Sequence, residues 1–292
     1  MAEKFLVYVN GEYLPEDAKH ISVFDHGFLY GDGVFEGIRA YNGRIFKLKE
    51  HIERMYESAK AINLNPPVQP GELEKIIIET CRKSKLKDIY IRPIFTRGEG
   101  DLNLSPVSCK KSGLIVIAKP LAATFAEKSQ KGLRLITAPV ARMPPQCLSP
   151  NVKSLNYLNN VLARMFAHYH GADEALMLDI HGYVSEASGD NIFYVKNGLV
   201  GTPPTATNLK GITRMTALEL AKEIGIDTRI TQCTLFDLYN ADEVFVTGTA
   251  AEIGPVVELD GQKIGDGKPG KITMKLIVMY KELINNNGTP IY

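Results

Sequence analysis

The 292-residue sequence has no tryptophan and only four cysteines. Cys81, Cys109, Cys147 and Cys233 lie far apart and form no C-x-x-C pair, so neither a disulfide framework nor a thiolate metal site finds support. Six histidines are scattered without an H-E-x-x-H or similar ligand spacing, and no metal site is expected. No apolar run approaches the ~20 residues that a membrane span requires. Charge of neither sign dominates: 34 Lys and Arg oppose 33 Asp and Glu, a formal net charge of +1. Without a long basic run interleaved with aromatics, nucleic acid is not an expected partner. The start, MAEKFLVYVNGEYLP, has no secretory apolar core and passes straight into strand-like alternation, so a cytoplasmic chain is expected.

Hydrophobic residues make up 45% of the sequence and charged residues 23%, a globular balance able to bury a core in one large domain or two ordinary ones. Phe5 to Val9 alternates, and Asn10-Gly11 is a type I′ hairpin signal. A second Asn-Gly, Asn42-Gly43, joins GVFEGIRAY to RIFKL. Leu48, Ile52, Met55, Ala59 and Ile62 then recur at spacings of four and three, predicting an amphipathic helix. LEKIIIETCRKSKL predicts another helix; DIYIRPIFTR and SGLIVIAKP predict strands. Hairpins and helices in blocks indicate α+β. LAATFAEKSQK, 121–131, breaks the pattern and divides an N-terminal domain, 1–120, from a C-terminal one, 132–292. Beyond it GLRLITAPVAR, EALMLD, YVSEA, NIFYV and DEVFVTG predict strands, a helix runs from about Ile212 to Ile224, and EIGPVVELDGQKIG closes the sheet.

One lysine stands out in LSPNVKSLNYLNN. Leu155, Leu158, Leu162, Met165 and Tyr169 repeat every three or four residues, which predicts a helix with Ser154 as its N-cap. Lys153 would then sit just outside the positive end of a helix dipole, a place that favours a neutral amine able to condense with an aldehyde. YVSEASGDNIF places Glu186 and Asp190 at a strand end and turn. Gly211-Ile212-Thr213 opens a helix, where backbone amides bind phosphate. VTGTAAEIGP adds Thr247, Gly248 and Thr249. An amine, a carboxylate and two phosphate cradles are the parts that a pyridoxal phosphate site requires.

Together these stretches resemble the class IV aminotransferases, the fold type IV pyridoxal-phosphate enzymes. The matching blocks run in order along nearly the whole chain: FDHGFLYGDGVFEGIRAYNGRIFKLKEHIERM, IYIRPIFTRGEGDLNLSP, VKSLNYLNN, GYVSEASGDNIF, GITR and TGTAAEI. The branched-chain amino acid members match best. The resemblance implies two α/β-type domains joined by an interdomain loop, with pyridoxal 5'-phosphate as cofactor. It implies that Lys153 holds the cofactor and shuttles a proton, that Glu186 pairs with the ring nitrogen, and that Tyr157 lies near the phenolic oxygen. Arg54, Ile212, Thr213 and Thr249 would bind the phosphate. Period-two alternation places Phe35, Gly37, Arg39 and Tyr41 on one face. In the family this face lines the substrate pocket, with Gly37 leaving room for a branched side chain.

Tyr90 and Arg92 form the Tyr-x-Arg pattern of the branched-chain enzymes. The resemblance assigns the α-carboxylate to the tyrosine hydroxyl and the amides around Thr249-Ala250, and the distal carboxylate of glutamate to the arginine. Tyr30 and the loop RGEGDLNLSP would reach the neighbouring subunit's site, so a homodimer or higher homo-oligomer, a hexamer included, is implied. The expected function is transfer of the amino group of leucine, isoleucine or valine to 2-oxoglutarate through a Schiff base, in a ping-pong cycle. A broader-range L-amino acid aminotransferase with some activity toward D-amino acids or R-amines is the alternative. Two departures bear on substrate range: KPLAATF lacks the Trp or Tyr common there, and Asp190 replaces a longer glutamate.

Overall fold

Asn-Gly pairs place the first hairpins. Asn10 and Gly11 have φ of 51° and 110°, Asn42 and Gly43 of 48° and 78°, the two positive values that a type I′ turn needs. In the computed structural model, which describes residues 5–121 and 132–292, the first turn joins β1 (Leu6–Val9) to β2 (Glu12–Pro15). A short helix α1 (His26–Tyr30) follows, N-capped by the Asp25 carboxylate. Then come β3 (Gly33–Phe35), β4 (Ile38–Tyr41) and β5 (Arg44–Ile45), with the second Asn-Gly between the last two. Helices α2 (Leu48–Ala61) and α3 (Pro70–Ser84) lead to β6 (Ile89–Thr96) and β7 (Gly113–Lys119).

These strands form one eight-stranded sheet with the C-terminal pair Thr289–Pro290, which bonds to β5. Both β3 and β4 pair with β6, in one register: Phe35 faces Ile94 and Ile38 faces Ile91. The ladder is interrupted between them because Pro93 has no N–H to give, although Glu36 N still donates to Pro93 O at 3.0 Å. One face of the sheet carries Val34, Ile38, Ala40, Ile89, Ile91, Phe95, Leu114, Val116 and Ala118, packed beneath α2 and α3 through Leu48, Ile52, Met55, Leu73 and Ile77. The opposite face buries a smaller cluster of Val7, Val9 and Ile115.

The second sheet begins with β8 (Leu133–Thr137). Helix α4 (Leu158–Tyr169) precedes β9 (Glu174–Leu178), β10 (Val184–Ala187), β11 (Asn191–Lys196) and β12 (Leu199–Thr202). Then α5 (Ile212–Glu223), β13 (Thr228–Ile230), α6 (Leu235–Tyr239), β14 (Glu243–Gly248), β15 (Glu252–Leu259) and α7 (Lys271–Asn286) complete it. The strand order is β10-β9-β8-β15-β14-β11-β12-β13, with parallel pairs among the described residues only where β8 meets β9 and β15 and where β12 meets β13. The fold class is α+β.

Contacts divide the chain into two compact units: one of residues to Leu121 with Val152–Asn156 and Ile284–Tyr292, the other of the remainder. The short insert Val152–Asn156, which holds Lys153, therefore travels with the N-terminal sheet. The expected connection, 121–131, lies outside the described residues except for Leu121. Helix α7 has no counterpart in the sequence reading, although Thr273, Leu276, Tyr280 and Ile284 are buried at helical spacing. Its first turn is held by the Glu243 carboxylate, which accepts from Ile272 N at 2.9 Å and Thr273 N at 2.8 Å.

The helix after Lys153 begins later than its apolar spacing predicts. Ser154 caps nothing: it is buried and bridges Val34. Phe35 N donates to Lys153 O and Leu155 N to Gly33 O, both at 2.9 Å, so 153–155 is an extra length of strand on β3 and α4 starts at Leu158. The helix-dipole argument for the Lys153 amine consequently does not apply. Nor does the apolar stripe face the core. Ala163 and Ala167 are buried against Ala138, Ala175 and Met177, whereas Leu158 is 63% and Tyr169 75% exposed.

All four cysteines are free, and burial pushes the Cys81 and Cys233 thiols up to about 12. Among the described residues no group of His, Cys, Asp and Glu could hold a metal, and no helix is long and apolar enough to cross a membrane.

Candidate active site

On the N-terminal unit, Lys153 is fixed from two sides: its carbonyl by Phe35 N, its own N–H by Ser58 Oγ on α2 at 3.2 Å. Its Nζ lies 4.5 Å from the centroid of the Phe35 ring. The Arg92 guanidinium lies over the same ring, also at 4.5 Å, and donates to the Tyr90 hydroxyl at 2.6 Å. Among the described residues no carboxylate pairs with Arg92, and its Nε is buried without a partner. A half-buried guanidinium that among the described residues meets one hydroxyl and two aromatic rings, Phe35 and Tyr90, keeps its charge available to an incoming acid. Arg39 stacks on Tyr41 at 4.3 Å. Phe35, Arg39, Tyr90 and Arg92 thus share one face of the sheet, as strand alternation requires.

The other face holds a buried carboxylate, Glu36, which is not among the site residues that the sequence singles out. Glu36 is fully buried and accepts from Arg54 Nε and Nη2, both at 2.7 Å, and from His51 Nδ1 at 2.8 Å. Burial alone would raise the Glu36 carboxyl; the Arg54 charge and the hydrogen bonds from His51 and Arg54 outweigh it and hold the group far below the usual carboxylate range. Burial dominates at His51 and lowers it, against the raising effect of Glu36. Arg54 is therefore a clamped, buried cation. A signal existed in the sequence: in VFEGI a carboxylate interrupts the apolar positions Val34, Ile38 and Ala40, and a carboxylate on a core face demands a cationic partner.

On the C-terminal unit, Glu186 in β10 is 5% exposed. It accepts from Arg142 Nε at 2.7 Å, Leu209 N at 3.0 Å and Asn191 Nδ2 at 3.4 Å. The first amides of α5, at Ile212 and Thr213, lack a side-chain cap because Gly211 precedes them. A Cβ at Gly211 would lie 2.0 Å from Asn191 Oδ1, so any side chain there would displace the Asn191 amide. Across the β11–β14 pair from Asn191 stands Thr247, whose Oγ1 is buried with no partner among the described residues. Thr249 and Ala250 form the turn between β14 and β15, half-buried, and Tyr157 sits at the N-cap position of α4. Asp190 is buried, and its Oδ1 lies 1.8 Å from where a Gly248 Cβ would be. Arg142 and Asn191 gain roles here; the strand expected over GLRLITAPVAR ends at Thr137, so Arg142 stands in the loop that follows it, where Pro139 breaks the alternation.

An uncapped helix start, an orphaned buried hydroxyl and a carboxylate fixed by three donors suit a phosphorylated, nitrogen-bearing ring. Residues 33–259 match the family of amino-transferases of class IV. The chain belongs to that family. A provisionally named branched-chain-amino-acid aminotransferase of Methanocaldococcus jannaschii is 50% identical over 287 residues, 98% of this chain and 99% of that protein. The branched-chain-amino-acid aminotransferase of Escherichia coli K12 is 37% identical over 278 residues, 92% and 90% of the two chains. The T.th. branched-chain amino acid aminotransferase, solved with pyridoxamine 5'-phosphate and with N-(5'-phosphopyridoxyl)-L-glutamate, superposes with a TM-score of 0.92 at 40% identity, over 98% of this chain and 95% of that one. It has also been solved with 4-methylvaleric acid. This class IV aminotransferase thus resembles a protein solved with a phosphorylated pyridine, with the conjugate of that pyridine and a dicarboxylic amino acid, and with a branched monocarboxylic acid.

Proposed function

We propose that this chain transfers the amino group of leucine, isoleucine and valine to 2-oxoglutarate, with pyridoxal 5'-phosphate as cofactor and a ping-pong order of substrates. The observation that carries the reading is the pairing on Phe35: an amine on one hand, and on the other a guanidinium with no acid of its own among the described residues. One group serves the cofactor and the substrate amine, the other an acidic substrate, beside an apolar ring that suits a branched side chain.

When bound, the cofactor supplies an electron sink for the substrate α-carbon. Lys153 Nζ holds it and moves the proton at that carbon, which one amine does best because it must act as both nucleophile and acid/base. Glu186, immobilised by Arg142, keeps the proton on the ring nitrogen. Tyr157 orients the phenolic oxygen. Arg54, Ile212, Thr213 and Thr249 take the phosphate, and Glu36 keeps Arg54 in one rotamer. The α-carboxylate is assigned to Tyr90 and to the amides around Thr249-Ala250, the distal carboxylate of the acidic substrate to Arg92. Phe35, Gly37 and Arg39 complete the substrate face.

The catalytic unit is a homo-oligomer, at least a dimer, to which Tyr30 contributes across subunits. Supporting this, Phe24, Phe28, Leu102, Leu104 and Val107 are all exposed on the single chain, and the Tyr30 hydroxyl donates to Leu102 O at 2.8 Å. The working compartment is the cytoplasm. Arg92→Ala tests the dual-substrate reading: glutamate and 2-oxoglutarate should lose more than leucine in kcat/KM, by a margin above ~1 kcal/mol for a lost charge-assisted contact. Equal losses would refute it.

A further inference from the structure

Gly37 lies in the middle of the substrate face, where an empty side-chain position invites the view that it makes room for substrate. The structure fills that room with protein. A Cβ at residue 37 would sit 2.4 Å from the Tyr90 hydroxyl, 3.2 Å from Cζ and 3.6 Å from Cε2, and these are the three nearest atoms to it. Residue 37 follows the break opposite Pro93, and the common register of β3 and β4 on β6 places it across from Arg92. Tyr90, across from Arg39, reaches diagonally over the glycine to receive the Arg92 bond at 2.6 Å. With a Cβ at residue 37 the hydroxyl must move by about an ångström, since real Cβ contacts fall near 3.4 Å or beyond. Arg92 has no other side-chain hydrogen-bond partner among the described residues and would move with it.

We propose that Gly37 is a specificity-determining positioning residue: its missing side chain lets Tyr90 lie across the sheet and hold Arg92 where a distal carboxylate is bound. The room beside residue 37 belongs to the tyrosine hydroxyl and not to the branched side chain of the substrate. Residue 37 then governs how well the enzyme accepts a dicarboxylic acid, acting through two side chains that it does not bond. This rests on the assignment of the distal carboxylate to Arg92.

The test is a double-mutant cycle of Gly37→Ala and Tyr90→Phe on the cofactor-loaded enzyme, read by calorimetric binding of two unreactive acids, glutarate and 4-methylvalerate. Gly37→Ala should weaken glutarate by about tenfold or more, the scale of a hydrogen bond to a charged group, and 4-methylvalerate less. In the Tyr90→Phe background, where the obstructing oxygen is gone, the same substitution should cost either acid no more than about twofold, because contacting residues do not act additively. Greater loss of 4-methylvalerate, or additive effects, would overturn the proposal by returning that room to the substrate. If Gly37→Ala does not fold, rescue of folding by Tyr90→Phe supports the contact, and failure of rescue overturns it. Arg92→Ala measured with the same pair separates the underlying assignment: equal loss of both acids refutes the role of Arg92 itself, whereas selective loss of glutarate with an additive cycle refutes only the role of Gly37.

Discussion

Lys153 and Glu36 bear the heaviest loads on the N-terminal sheet, one on each face. Lys153→Ala should abolish turnover, and borohydride should no longer fix the cofactor to the chain; fixation at another lysine would refute the assignment. Glu36→Gln removes the carboxylate from beneath Arg54 and leaves a buried cation without its counter-charge, a change that costs about 3–5 kcal/mol of stability where a buried pair is broken. Denaturant titration measures it. Phosphorylated cofactor should be released more readily than from the parent enzyme, and unchanged retention would argue that Arg54 needs no clamp. The acid response has a definite sign. Glu36 is depressed in the folded state, so the stability it contributes is present above the ordinary carboxylate value and is lost as pH falls from there toward its folded value. His51 is also depressed, so the unfolded chain takes up that proton first and stability begins to fall as pH drops below ~6.5. Stability should therefore decline on acidification in two stages, the later of which is smaller in Glu36→Gln; a parent protein equally stable at about pH 7 and about pH 4 would contradict this.

At the scale of elements, the added strand 153–155 decides where the lysine stands. Gly33 admits it: a Cβ there would lie 2.4 Å from Phe95 O and 2.6 Å from Leu155 Cδ1. Gly33→Ala should cost about 1–3 kcal/mol through overpacking, and part of that cost should appear as weaker cofactor retention, because Leu155 and Lys153 share the displaced segment. Calorimetric melting with and without cofactor distinguishes the two contributions; an unaltered protein would mean that the strand is not needed. This element also marks the limit of reading from sequence. Hairpins with Asn-Gly turns, the two amphipathic helices and the alternation of VFEGIRAY were legible because each depends on neighbours along the chain. The pairing of 153–155 with β3 joins segments far apart in the chain, and its Ser154-Leu155 pattern imitates a helix start. On α4 the period was right but the buried face was wrong: close approach to β9 selects Ala163 and Ala167 and leaves the larger apolar side chains outside. The alternation of VFEGI marks Glu36 as an acid on a core face, but its partners Arg54 and His51, like the pairing of Arg142 with Glu186, are fixed only by the tertiary fold, whereas Lys153 and Glu186 stand within matched motifs.

For the whole molecule, the apolar residues left outside argue for self-association. Leu158, Val161, Leu162, Met165 and Tyr169 on α4 are exposed on the C-terminal unit, as are Phe24, Phe28, Leu102, Leu104 and Val107 on the N-terminal one. Where such side chains join into one patch they mark interaction surfaces. Replacing Leu102 and Leu104 by serine should shift the sedimentation coefficient toward the monomer and lower specific activity on dilution, since Tyr30 would be withdrawn from the partner's site; a fully active monomer would contradict the subunit-sharing account. The central claim, that this chain carries an amino group between branched-chain amino acids and 2-oxoglutarate on a lysine-held cofactor, is tested most directly by the visible absorption spectrum of the cofactor-loaded protein. A band that L-leucine bleaches and 2-oxoglutarate restores is the predicted result, because each acid then completes one half of the cycle. A band that leucine leaves unchanged, or one that 2-oxoglutarate does not restore, would contradict it.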